Sequence, residues 1–221
     1  MLNALIFDMD GTLVHSDPVH LRAFAEVLGP EGVEITDEVY RDAIIGHTNE
    51  SIFETLLPGR PVSEHQTYAD LKEAAFRRLA RELEPLEGLL QLLDWADRNG
   101  VKVALVTNAP LLNATHMLDI MDLTHRFTVK VTRDDVARGK PDPLPYLTAL
   151  DRLGIAAEDA IAFEDSPSGM KAAKAAGLFS FGILTGLTSA DMMRAGADIT
   201  IDDFKNEALW DVLKKKFPAA S

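Results

Sequence analysis

The chain has 221 residues, 47% hydrophobic and 26% charged, a balance that fits a globular protein with one large domain or a domain carrying an insertion. A formal net charge of −13 speaks against nucleic acid as a partner, though a local cation or metal can still invert the field inside a cleft for a small anion. With no cysteine, no apolar run near the ~20 residues of a membrane span, and no basic leader before the first apolar run, the expectation is a soluble, cytoplasmic protein without membrane contact.

In chain order, the first strand is read at Ala4–Phe7 and ends at the stretch FDMDGTLV, residues 7–14. From Ser16 to about Leu83 no strand pattern appears, and four helices are expected. Asp17 is the expected N-cap of the first, with Pro18 at its first position and Leu21, Phe24, Ala25 and Leu28 as its apolar stripe. Thr36 opens a second that ends near Gly46. Asn49 opens a third, carrying Ile52, Phe53, Leu56 and Leu57 before Pro58-Gly59. Ser63-Glu64-His65-Gln66 has the spacing of a capping box before the fourth.

Strands and helices then alternate. Leu89, Leu92, Leu93 and Ala96 share one helical face, and Asn99-Gly100 stops that helix. KVALV (102–106), TVKV (128–131), AIAF (160–163), Leu178–Ile183 and the weaker Asp198–Ile201 read as strands. Helices are expected over Pro143–Leu153, stopped by Gly154, and over Ser168–Ala176, stopped by Gly177. Continuous rather than alternating apolar runs mark strands buried on both faces. The fold class is therefore α/β, a doubly wound, Rossmann-like parallel sheet with an inserted all-helical cap. The expected core is 1–15 plus 85–221, and the expected cap 16–84.

Two acids at the end of a buried strand need a cation or a site, because burying an unpaired carboxylate costs several kcal/mol. Ligands of open α/β sheets lie beyond the carboxyl ends of the strands. After the first strand come Asp8, Asp10 and Thr12, after the second Thr107 and Asn108, and after the fourth Glu164, Asp165 and Ser166. Gly139-Lys140-Pro141-Asp142-Pro143 precedes the helix that leads into the fourth strand. Gathered at one edge, the acids would hold a hard cation, and oxygen ligands without cysteine favour Mg²⁺. Lys140 and the small polar groups would face phosphate oxygens. A metal, a phosphate and a carboxylate in reach of one another define phosphoryl transfer to an aspartate. A calcium loop starting at Asp8 fails, since its sixth position holds Leu13 rather than glycine.

FDMDGTLV, VTNAP, GKPDP and FEDSPSG, in this order and with a helical insertion after the first, resemble the haloacid dehalogenase superfamily in its branch of small phosphatases and beta-phosphoglucomutase-like enzymes. The resemblance covers the whole chain. It implies Asp8 as nucleophile, Asp10 as general acid and base, Thr107 and the backbone beside Asn108 as phosphate binders, and Lys140 as support for the phosphoryl group and the nucleophile. It implies Mg²⁺ held by Asp8, the Asp10 carbonyl oxygen and Asp165, with Glu164 in an outer position. It further implies a small phosphorylated metabolite as substrate and a monomeric state. His20, where relatives keep a histidine, with His47, Asn49 and Lys72, are candidate contacts to the substrate.

Two departures bear on function. Relatives commonly read DGTLVDS where this chain has DGTLVHS, which places His15 at the hinge of the cap. The stretch Gly46-His47-Thr48-Asn49-Glu50 lacks the arginine with which mutases hold a second phosphate, and Lys72 looks offset from their cap lysine. The missing arginine and the offset lysine favour a phosphatase over a hexose-phosphate mutase, while His15 bears on cap closure or its pH response. A non-catalytic phospho-ligand binder is the reading from another class, opposed by the intact acidic and lysine set. The apolar stripes through Phe24, Phe53 and Leu56 are expected to be cap core. Arg77, Arg78, Arg81 and Glu82, Glu84, Glu87 are expected to be solvated.

Overall fold

The computed structural model describes residues 2–45, 47 and 49–216. The chain divides into two compact units, Met1–His15 with Glu84–Ser221, and Ser16–Leu83.

The first unit is built on a parallel sheet of six strands among the described residues: β1 (Ala4–Phe7), β2 (Lys102–Val106), β3 (Val129–Val131), β4 (Ala160–Glu164), β5 (Phe179–Ile183) and β6 (Ile199–Ile201). Their order is β3-β2-β1-β4-β5-β6. Strand order reverses beside β1, so a crevice forms at the carboxyl ends of β1 and β4. The registers Phe7↔Leu105 and Phe7↔Phe163 bring the residues that follow β1, β2 and β4 to the same rim.

The central strands are buried on both faces, as their unbroken apolar runs require. On one face Ala4, Ile6, Ala104, Val106 and Ala162 pack against α7 (Leu144–Leu153) and α8 (Pro167–Ala175). On the other, the rings of Phe7, Phe163 and Phe181 stack across neighbouring strands at 4.7 and 5.4 Å. Aromatic contacts of this kind add about 0.5–1.5 kcal/mol each to the apolar area they bury. α5 (Leu89–Arg98) buries the expected face of Leu89, Leu92, Leu93 and Ala96. Gly154 ends α7 in a left-handed conformation, the stop read from the sequence. Also in this unit are the α-helices α6 (Leu111–Ile120), α9 (Ser189–Ala195) and α10 (Glu207–Lys216).

The second unit is helical: α1 (Asp17–Leu28), α2 (Asp37–Val39, continuing as a π-turn over Tyr40–Ile44), α3 (Asn49–Leu56) and α4 (Val62–Leu79). Its core is Phe24, Leu28, Ile35, Tyr40, Ile44, Ile52, Phe53, Leu57 and Ala69, with Leu21 and Leu56 packed partly buried against it. Ala25, expected in the stripe of α1, is exposed, and Ala23 is buried instead. The oxygen of Thr36 caps α2 by accepting from Val39 N at 3.2 Å. Gly46, the expected end of that helix, lies outside the described residues.

Two expected helix starts are corrected. Asp17 is the first helical residue rather than the cap, and its Oδ1 accepts from the Tyr40 hydroxyl at 2.9 Å, tying α1 to the π-turn. The capping box at Ser63 does not form. Pro61, extended at ψ 140, releases the chain into α4 two residues early, so Ser63 lies within the first turn and His65 turns inward, 5% exposed.

Candidate active site

Asp8 follows β1, and its N–H prolongs the ladder to Phe163 O at 3.0 Å, so the carboxylate is delivered to the rim by the sheet itself. The chain then closes a tight turn, with Leu13 N donating to Met9 O and Gly11 N to Val14 O, both at 2.8 Å. Gly11 has φ +70, and a Cβ there would lie 2.1 Å from an oxygen of Asp165. Glycine is therefore required twice over, for the turn and for the close approach of that carboxylate.

Lys140 is the centre of the arrangement. Its buried ammonium reaches Asp8 Oδ1 at 2.6 Å, Val106 O at 2.7 Å and Glu164 Oε1 at 2.5 Å, one acceptor for each of its three N–H bonds. Its backbone is held as firmly. Lys140 N donates to Asn108 Oδ1 at 2.9 Å, and Asn108 Nδ2 donates to Lys140 O at 3.1 Å. A Cβ on Gly139 would meet Asn108 Oδ1 at 2.5 Å, which explains the glycine before the lysine.

Neither Thr107 nor Asn108 caps α6. Thr107 Oγ1 accepts from Ala109 N at 3.0 Å, and the N-terminus of α6 is met by Asp134 Oδ2, 2.8 Å from Leu111 N. The side chain of Asn108 is committed to the Lys140 loop, which leaves the backbone beside it as the phosphate-facing part of that expectation.

Glu164 is completely buried and accepts from both Lys140 and the hydroxyl of Tyr146. The Lys140 ammonium also lies 5.3 Å from the centre of the Tyr146 ring. A Cβ on Gly169 would lie 2.0–2.2 Å from the Glu164 carboxylate, so α8 keeps glycine where that side chain passes. Ligand atoms of Asp8, Glu164 and Asp165 all lie within 4.8 Å of one another.

Two of the three buried carboxylates, Asp8 and Glu164, thus share one buried ammonium. Burial, with Glu164 and Asp10 nearby, raises the Asp8 carboxyl to about 7 against the pull of Lys140. Burial works against the charge of Lys140, but Asp8 and Glu164 outweigh it and raise its pKa. Burial and the neighbouring carboxylates likewise push the Tyr146 hydroxyl well up. The site carries a surplus of negative charge, and an all-oxygen donor set of this kind fits a hard divalent cation.

Among the expected cap residues, three converge. Glu73 Oε1 accepts from Asn49 Nδ2 at 2.7 Å and from Lys72 Nζ at 3.0 Å, and the Lys72 ammonium lies 4.7 Å from the centre of the Phe24 ring. Burial opposes the charge of Glu73, yet Lys72, Asn49 and His20 together lower its pKa. His20 stacks on Phe76 at 4.1 Å. The side chain of His47 is exposed and stands outside this cluster, and Thr48 lies outside the described residues. Glu73, the hub, has no signal in the sequence, because a glutamate beside a lysine on a helix reads as solvated surface. Arg78 and Glu26 pair across two helices of the same unit, more than the solvated face expected of Arg78.

A cavity of about 700 Å³ lies at the amino end of β2, far from this rim, lined by Lys102, Arg126 and Arg152 among others. Its cations are already engaged: Arg126 by Asp94 and Asp97, Arg152 by Asp135, and Lys102 by the Leu153 carbonyl.

A Rossmann-ordered sheet that gathers acids and a lysine at the carboxyl ends of its strands defines a class of hydrolase. The family model described as "Haloacid dehalogenase-like hydrolase" matches residues 5–183, and the chain belongs to that family. It is 32% identical to the phosphorylated carbohydrates phosphatase of Thermotoga maritima, over 97% of this chain and 99% of the relative. It is 28% identical to the beta-phosphoglucomutase of Bacillus subtilis, over 91% and 93%. Among solved structures, CbbY from Rhodobacter sphaeroides in complex with xylulose-(1,5)bisphosphate superposes with a TM-score of 0.81 at 29% identity, covering 92% of this chain and 95% of that one. No helix among the described residues is long and apolar enough to cross a membrane.

Proposed function

We propose that this chain is a Mg²⁺-dependent phosphatase that hydrolyses a small phosphate monoester, a sugar phosphate in the first instance. The observation that carries this reading is the contact of Lys140 with both Asp8 and Glu164 beside Asp165, at the rim where an α/β sheet binds its ligand. Asp8, Asp165 and the Asp10 carbonyl oxygen would hold Mg²⁺, with Glu164 supporting them from outside, and the bound ion would supply charge stabilisation to the phosphoryl oxygens.

A carboxylate oxygen of Asp8 attacks phosphorus, and the bond to the substrate oxygen breaks with its electron pair leaving on that oxygen. Asp10 delivers the proton that turns the leaving oxygen into the alcohol. Asp10, now ionised, takes a proton from water, whose oxygen attacks the phosphorus of the aspartyl-phosphate. Inorganic phosphate leaves and the Asp8 carboxylate is restored. Lys140 fixes the rotamer of Asp8 throughout. Thr107 and the backbone beside Asn108 meet the phosphoryl oxygens.

In this reading His20, Asn49, Lys72 and His47 of the helical unit would contact the alcohol portion of the substrate. The Glu73 carboxylate beside Lys72 supports a phosphatase over a hexose-phosphate mutase, because it opposes a second phosphate there. The relatives named for phosphorylated carbohydrates support the sugar-phosphate class. Cytoplasmic location and a monomeric state belong to the same proposal.

Release of phosphate from an aryl phosphate with Mg²⁺, abolished by chelator, tests the reaction, and a panel of sugar monophosphates tests the class. No turnover on either favours the non-catalytic binder. Isomerisation that needs a bisphosphate activator and releases no phosphate favours the mutase.

A further inference from the structure

We propose that Tyr146 is a positioning residue of the reaction, acting through Glu164 to keep Lys140 on Asp8; the inference rests on the phosphatase reading above. Tyr146 is fully buried on the first turn of α7, so its hydroxyl has no solvent to turn to, and it donates to Glu164 Oε1. That same oxygen takes one of the three N–H bonds of Lys140, whose second goes to Asp8 and third to Val106 O. The Tyr146 ring lies under the ammonium at 5.3 Å. Tyrosine thus meets both members of the Lys140–Glu164 pair, one through its oxygen and one through its face.

The consequence is a division of labour at Glu164. With the hydroxyl in place, the charge on Oε1 is shared between two donors, and Lys140 stays balanced between Glu164 and Asp8. Without it, a carboxylate with no access to water has one donor fewer. It draws Lys140 away from Asp8 and becomes a stronger ligand for any cation in the cluster. Tyr146→Phe keeps the volume and the ring beneath the ammonium and removes only the oxygen, so the core stays packed.

The test is a double-mutant cycle of Tyr146→Phe and Glu164→Gln, read by steady-state hydrolysis of an aryl phosphate, with calorimetric titration of Mg²⁺ alone into wild type and Tyr146→Phe. The expected result is a fall in kcat of about tenfold for Tyr146→Phe with KM unchanged, since a hydrogen bond to a charged group is of that order. The fall should vanish in the Glu164→Gln background, and Mg²⁺ should bind Tyr146→Phe more tightly. An unchanged kcat, a fall that persists in the Glu164→Gln background, or unchanged or weaker Mg²⁺ binding overturns the inference. A wild-type protein without turnover overturns the phosphatase reading instead, and the metal titration still decides the role of Tyr146.

Discussion

The ammonium of Lys140 meets the carboxylate of Asp8 at 2.6 Å, although 132 residues separate them in the chain. Each is buried, and each depends on the other for compensation. Breaking a buried pair by removing one partner costs about 3–5 kcal/mol, because the remaining charge stays out of water. Lys140→Met should therefore lower stability by that order in denaturant unfolding without metal, and lower kcat by about a hundredfold or more. Mg²⁺ should recover part of the stability and little of the turnover.

The acidic cluster makes a prediction about pH. Asp8 titrates near 7 in the folded chain, against 3.8 ordinarily, so the folded state holds a proton that the unfolded state gives up. That contribution to stability is complete below pH 3.8 and is lost as the pH rises through about 7. Over the same interval Asp8 becomes available to a cation. The rise in melting temperature on adding Mg²⁺ should be larger at about pH 8 than at about pH 5.5. An equal rise at both would count against Asp8 as a ligand.

Two glycines separate site from scaffold. Gly169 lies within α8, where alanine normally gains about 1 kcal/mol of helix propensity, but its Cβ would fall 2.0 Å from the Glu164 carboxylate. Gly169→Ala should displace that carboxylate and remove most of the activity. Gly154 has φ +67 and open space around it, so Gly154→Ala should cost about 1 kcal/mol in backbone strain and leave kcat unchanged. Thermal melts and aryl phosphate turnover on both variants check the contrast.

In the helical unit, Glu73 holds Lys72 and Asn49 together. Glu73→Ala leaves the buried Lys72 ammonium without its carboxylate, and should destabilise that unit by about 3 kcal/mol. Hydrogen exchange should show the loss as faster exchange in α1, α3 and α4, with β1 and β4 unchanged.

Much of this was written in the sequence. Unbroken apolar runs marked the parallel strands, and the helix stop at Gly154 followed from glycine's access to a left-handed conformation. Acids after β1 and β4 pointed to a shared rim because parallel strands end on the same side. Other features had no local signal. Tyr146 sits with Ala149, Leu150 and Leu153 on what reads as an ordinary apolar stripe, and its partner Glu164 is on another element. The third acceptor of Lys140 is a backbone carbonyl, which no side-chain pattern announces. α6 carries exposed Leu111 and Leu112 as well as buried Met117 and Leu118, so no single stripe marks it in the sequence. At the start of α4 the spacing of a capping box at Ser63 competes with Pro61, and the proline sets the first turn.

Asp8→Asn tests the central claim most directly. The amide removes the charge that faces Lys140, so without metal the variant should lose stability, though less than Lys140→Met, because Glu164 stays on the ammonium. It has no carboxylate to attack phosphorus, so Mg²⁺-dependent release of phosphate should fall by about a thousandfold or more. A folded Asp8→Asn protein that keeps its turnover within a few-fold of the parent would contradict the account.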